Sequence, residues 1–212
     1  MKHLLFVLTA LMLVVTVQAK KQKVTIDGTV TNGQTWFYLI VNEDTANAQR
    51  ISVIDGQFTV KVKVDCDALI RLDVYKKLRD RSPLVLIPDS KHITVSWPDK
   101  QISGSQQSQE LQTVSKEIRD LSPEGFHIDV FTDNPDARQK AREKEAAIRQ
   151  QMFAKQMHFT KDFILQNKDK YYCAWIMYTF HNPFKAELED MVSHMQPSWA
   201  NHPILYKPSS AR

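Results

Sequence analysis

Glycine and cysteine are both scarce in this chain, with five and two copies among 212 residues. Few glycines exclude collagen-like repeats and phosphate-cradling loops, and two cysteines cannot staple a small disulfide scaffold. Cys66 and Cys173 stand 107 positions apart, so the Cys-x-x-Cys motif that stabilises a reactive thiolate is missing. The histidines beyond the N-terminal segment (His92, His127, His158, His181, His194 and His202) show no His-Glu-x-x-His or similar ligand spacing. After Val17 no apolar run reaches the roughly 18 residues of a membrane span. What is present, 42% hydrophobic and 25% charged residues, is the balance of an ordinary globular body.

The N-terminus has the three parts of a secretory signal. Met1-Lys2-His3 is basic, Leu4 to Val17 is apolar, and Val17-Gln18-Ala19 carries small residues where signal peptidase needs them. Cleavage after Ala19 is expected, leaving 193 residues in the periplasm or outside the cell; the alternative is an uncleaved N-terminal anchor. No cysteine lies near the cut, which excludes a bacterial lipoprotein. The isoelectric point near 9.0 invites a nucleic-acid reading through Lys76, Lys77, Arg79 and Arg81, or Arg138, Lys140, Arg142 and Lys144. That reading fails: the first cluster has no interleaved aromatics for base stacking, and the second alternates with Glu143 and Glu145 as a solvated helix face does.

Residues 24–104 have the short period-two runs of strands. Val24 to Val30 and Thr35 to Val41 flank Asn32-Gly33, and Ile51 to Ile54 and Phe58 to Val64 flank Asp55-Gly56, so two hairpins are expected. Ala68 to Tyr75, Leu84 to Ile87 and Ile93 to Trp97 continue the pattern. Seven or eight strands of this length define an antiparallel β-sandwich or open barrel over residues 20–104. The period then changes. Ser105 or Ser108 can cap a helix carrying Leu111, Val114, Ile118 and Leu121, and Asp133-Asn134-Pro135 opens a long one with Ile148, Met152, Phe159 and Phe163 on one stripe. Tyr171 to Phe180 is apolar all round, and Asn182-Pro183 opens a fourth helix facing inward with Phe184, Leu188, Met191 and Met195. The expected class is α+β: a sandwich, a helical region of about four helices over 105–195, and an extended tail over 196–212.

No set of residues reaches the threshold for catalysis or metal binding. Cys66 and Cys173 would form one bridge between the two halves if their Cα atoms lay within about 7 Å; otherwise they are thiols. Asp190 and His194 share a helix face, the spacing of a surface pair more often than of a metal site. Ser105 lacks the Gly-x-Ser-x-Gly elbow and fits a helix cap. Asp65 and Asp67 flank Cys66 and would lie on one strand face, where they could serve as paired carboxylates, though a solvated sheet face or turn is the far commoner outcome. Trp36, Phe37 and Tyr38 would offer a sugar-stacking platform, but alternation sends part of the triplet into the core. No cofactor is implied.

Several short motifs in fixed order carry a family resemblance. Ile26-Asp27-Gly28-Thr29-Val30, the run Trp36 to Leu39, Ile54-Asp55-Gly56-Gln57-Phe58, Leu86-Ile87-Pro88-Asp89-Ser90 before Ile93-Thr94-Val95, and Ile102-Ser103-Gly104-Ser105 belong to the strands. Phe163-Ile164-Leu165-Gln166-Asn167 belongs to the helices. Over about 24–195 the chain resembles the uncharacterised N-terminal domain of TlpA/ResA-like thiol-disulfide oxidoreductases of Bacteroidota. In that family the activity resides in a following thioredoxin domain with Trp-Cys-x-x-Cys, which this sequence does not contain, so no catalytic residue carries over. The resemblance implies an exported, non-enzymatic binding or accessory module whose partner is an envelope protein or a thioredoxin-like protein, with no nucleic acid and no membrane span after cleavage. The alternatives are a partner or remnant of a periplasmic redox system, and an unrecognised envelope hydrolase needing polar groups converging between sandwich and helices.

Overall fold

The computed structural model describes residues 21–78, 83–129 and 134–206, without the side chains of 181–185. The expected signal segment, Arg79, Arg81, Asp133 and the Phe184 side chain lie outside this set. Eight strands precede the helices: β1 (Lys21–Val30), β2 (Trp36–Val41), β3 (Gln49–Ser52), β4 (Gln57–Asp65), β5 (Ile70–Asp73), β6 (Leu84–Leu86), β7 (His92–Trp97) and β8 (Ile102–Ser103). They form two four-stranded sheets in the orders β4-β1-β7-β8 and β3-β2-β5-β6, giving the α+β layout expected of the sequence. Every ladder is antiparallel except that between β1 and β7, where Ile26 pairs Ile93 in parallel. Val24, Ile26, Phe37, Leu39, Phe58, Val60, Ile70, Leu72, Leu86 and Ile93 fill the space between the sheets.

Neither expected hairpin pairs as such. β1 lies between β4 and β7, while β2 lies between β3 and β5 in the other sheet, so Thr31–Thr35 crosses the sandwich. At Asp55-Gly56 the turn itself forms, with φ of 51° and 71° and Ile54 and Gln57 exchanging both backbone bonds at 2.8 and 2.9 Å. Pairing stops at that bridge, and β3 and β4 enter different sheets. Turn residues specify a local reversal, whereas partner choice follows from which faces have core to bury.

β5 and β6 are buried on both faces, since Leu84 and Leu86 face the sandwich and Val85 faces a second core beneath the helices. The helices are α1 (Gln106–Asp120), α2 (Pro135–Gln166) and α3 (Cys173–Met195). Ser105 caps α1 by accepting from the Ser108 N–H at 3.1 Å, and Asn134 caps α2 through the Asp136 and Ala137 N–H groups. The third and fourth expected segments run together as α3, through Asn182-Pro183. A proline removes one helix donor, but apolar burial on both sides of it, at Tyr172 to Tyr178 and at Leu188, holds the axis together.

The buried line of α2 is Gln156, Thr160 and Ile164, with Phe153, Met157, Phe159 and Phe163 partly buried beside it, rather than the stripe from Ile148. Apolar counting missed it because Gln156 and Thr160 are polar and satisfied, Gln156 by donating to the Ile118 carbonyl at 2.9 Å and Thr160 to that of Gln156 at 2.8 Å. No helix among the described residues is long and apolar enough to cross a membrane.

The expected extended tail is folded as far as Tyr206. Two 3-10 turns, Ser198–Asn201 and Pro203–Tyr206, bury Trp199 and Ile204 completely. The Trp199 indole donates to the Lys168 carbonyl at 2.9 Å, and His202 reaches the Asp67 carbonyl through Nε2 at 3.0 Å while Nδ1 accepts from the Ile204 N–H. Burial lowers the His202 pKa below its ordinary 6.5. The unfolded chain therefore takes up this proton first as pH falls, and the folded state loses stability below about pH 6.5. Urea denaturation from pH 7.5 to 5 should show that loss, and His202→Asn should flatten it; identical slopes in both proteins would contradict this role.

On the outer face of β5, Arg71 is 1% exposed and uses all five guanidinium donors. It contacts Glu43 through Nε (2.5 Å) and Nη2 (2.9 Å), Asp73 through Nη1 (2.5 Å), and the carbonyls of Tyr75 (3.2 Å) and Lys76 (2.8 Å). Two buried carboxylates, Glu43 and Asp73, bond this cation. Replacing Arg71 with Met should cost about 3–5 kcal/mol, because it takes the guanidinium from two carboxylates that stay buried. Equilibrium unfolding measures this directly, and a loss below about 1 kcal/mol would show that the network is dispensable.

Candidate functional site

The site begins with an unpaired sandwich edge. β6 ends one sheet and β8 the other, and no strand among the described residues joins them. Helix α1 supplies the missing partners. Ser108 Oγ accepts from the Ile87 N–H at 2.8 Å, and Ser105 Oγ donates to the Ile87 carbonyl at 3.2 Å. Gln109 donates to the Ile102 carbonyl at 2.7 Å, and Gln112 to that of Lys100. The helix start is fixed from outside as well, because the Asp89 carboxylate accepts from the Gln107 N–H at 2.8 Å, where the helix dipole favours negative charge. Gly104, at φ +83°, is required at this corner: a Cβ there would lie 2.4 Å from the His92 carbonyl oxygen.

Between this seat and α3 a cavity of about 520 Å³ opens. One wall is Pro83, Leu84 and Val85 with the Asp99–Ile102 turn; the other is Leu111, Gln112, Thr113, Ser115, Lys116 and Arg119 of α1 with Trp175, Thr179 and Phe180 of α3. Lys100, Lys116 and Arg119 oppose one acidic residue, Asp99. Thr113 and Thr179 spend their hydroxyls on carbonyls four residues back, those of Gln109 and Trp175. Ser115 does not. It is 7% exposed, and its buried Oγ has no hydrogen-bond partner, a state that costs about 1–3 kcal/mol. Among the described residues the cavity wall contains no histidine or cysteine, and Ser115 Oγ has no hydrogen-bond partner.

The residues singled out from sequence lie elsewhere. Cys66 is exposed in the turn after β4, and Cys173 is buried at the start of α3 with its thiol donating to the Asn167 carbonyl at 3.3 Å; both are present as thiols. Desolvation, reinforced by Asp169, pushes Cys173 up to about 12, which removes it as a nucleophile at neutral pH. Asp67 lies in the turn beyond β4, so Asp65 and Asp67 do not share a strand face. Asp190 and His194 are an exposed pair at 3.7 Å. Phe37 is core; Trp36 and Tyr38 stack edge-on at 5.0 Å outside, with Arg50 and Lys76 already over their rings at 5.0 and 5.3 Å. On the outer face of the other sheet, His92 Nε2 lies 2.7 Å from Asp27, with 60% of the His92 side chain exposed. Among the described residues no group of three or more histidine, cysteine or acidic side chains is arranged to hold a metal.

The cavity was not legible in sequence, since Ser115, Lys116 and Arg119 look like the polar side of an amphipathic helix. No family model, no curated protein and no solved structure matches this chain.

Titration of the native protein with a thiol reagent at pH 8 should consume one equivalent quickly, at exposed Cys66, and a second only after denaturation. Two fast equivalents would contradict the burial of Cys173, and none even after denaturation would mean a bridge.

Proposed function

We propose that the chain is an exported, non-catalytic binding module, related to the N-terminal accessory domain of TlpA/ResA-like oxidoreductases. The observation that carries this reading is the cavity at the sandwich–helix seam, which gathers cations and an unpartnered hydroxyl. Such a wall suits ligand holding, and among the described residues it sets no histidine or cysteine beside Ser115 to activate its hydroxyl.

The motifs behind the resemblance are in contact in ways that support it. Gly28 leaves room for the Phe58 ring, which a Cβ would approach to 1.9 Å, so the first and third motifs form one packing unit. Ile87, Asp89, Gly104 and Ser105, from the later two, meet at the start of α1 and set the cavity wall. Their shared role is to hold α1 across the open edge. The envelope-hydrolase alternative rests on the same convergence of polar groups and is opposed by the lack, among the described wall residues, of a histidine or cysteine beside Ser115. Partnership with a redox system rests on exposed Cys66.

Expression of the full chain in a Gram-negative host tests the proposal. The expected product is periplasmic, begins at Lys20 and gives no turnover in an insulin-disulfide reduction assay. A cytoplasmic, unprocessed product, or reduction of insulin at catalytic rates, would overturn it.

A further inference from the structure

We infer that the cavity between α1, α3 and the β6–β8 edge binds a small amphipathic acid, its head held by Lys116 and Arg119 with Ser115 donating a hydrogen bond, and its apolar part lying against Leu111, Trp175 and Phe180. This deepens the binding-module reading and rests on it. The size is that of a small-molecule site, within the roughly 300–1,000 Å³ such pockets occupy. The charge favours an anion, because among the described lining residues Lys100, Lys116 and Arg119 outnumber the single carboxylate of Asp99. Lys116 in particular is exposed and has no ion-pair partner among the described residues. Apolar side chains from both walls select a ligand with a hydrocarbon part, which hydration would otherwise oppose.

Ser115 supplies the independent sign of a ligand. Three mid-helix hydroxyls, Thr113, Thr160 and Thr179, return to the carbonyl four residues back. Two buried hydroxyls, those of Ser96 and Ser115, have no partner among the described residues, and of the two only Ser115 is a residue of the cavity wall. Alanine would fill that position with less cost and better helix propensity. A hydroxyl retained where it weakens the empty protein has a use when the cavity is filled, and a rotation about χ1 is enough to redirect it.

The test is isothermal titration of the mature protein with decanoate, decyl phosphate and decanol. Either acid should bind, the better of the two identifying the head group, and decanol should bind at least about 10-fold more weakly. Lys116→Gln, at an exposed position, should weaken the acids about 10-fold without altering decanol. Ser115→Ala should weaken them by a similar factor while raising the melting temperature of the empty protein by about 2–4 °C. Equal binding of decanol, or a Ser115→Ala protein that is destabilised and binds acids unchanged, would overturn the inference. So would failure of both acids to bind, even in a protein that is processed, exported and inert in the insulin assay, the outcomes on which the binding-module reading depends.

Discussion

An unsatisfied sheet edge is the constraint on which this molecule turns. Two sheets packed face to face leave β6 and β8 at the same open side, and backbone groups there need partners if they are to be buried. Helix α1 meets that need with Ser105, Ser108, Gln109 and Gln112, four side chains that bond backbone groups of Ile87, Lys100 and Ile102. At about 0.5–1.5 kcal/mol each these bonds are modest. Their larger effect is positional, because with α1 fixed across the edge Leu111, Val114 and Ile118 become one side of a second core. Tyr172 to Tyr178, Trp199 and Ile204 complete it. The cavity is what remains where α1, α3 and the edge do not close on one another.

A second constraint acts on β5, the neighbour of β6 in the same sheet, where Arg71 pairs with Val85. Arg71 draws Glu43, Asp73 and the carbonyls after β5 into one buried network. The guanidinium's five donors match five acceptors, so the charges stabilise only as a set. This network and the α1 seat hold β5 and β6 between two cores, which explains why those short strands carry no exposed face.

Local features were legible in the sequence, and long-range ones were not. Period-two runs located the strands, Ser105 or Ser108 and Asp133-Asn134-Pro135 bracketed two helix starts, and the apolar segment Tyr171 to Phe180 is buried from Tyr172 to Tyr178. Asp55-Gly56 forms the turn its residues demand, yet β3 and β4 part immediately, because strand pairing depends on neighbours dozens of residues away. Gln156 and Thr160 on the inner line of α2 defeated apolar counting, since each is satisfied by a backbone group. The cavity was hidden for a related reason: Ser115, Lys116 and Arg119 have the character of a solvated face, and only the position of α3 turns that face into a wall. The family resemblance rests on motifs whose residues prove to be structural, at Gly28, Gly104 and Ser105, and structural residues do not name a ligand.

The proposed binding site lies at a seam between two cores, away from both cysteines and from the Trp36–Tyr38 pair. The most direct test is to map chemical-shift changes on isotope-labelled protein during titration with decanoate. Perturbations confined to the amides of Ser115, Lys116 and Arg119 and to the Trp175 indole are predicted. Changes centred on Trp36 and Tyr38, or scattered over the surface without saturation, would contradict it.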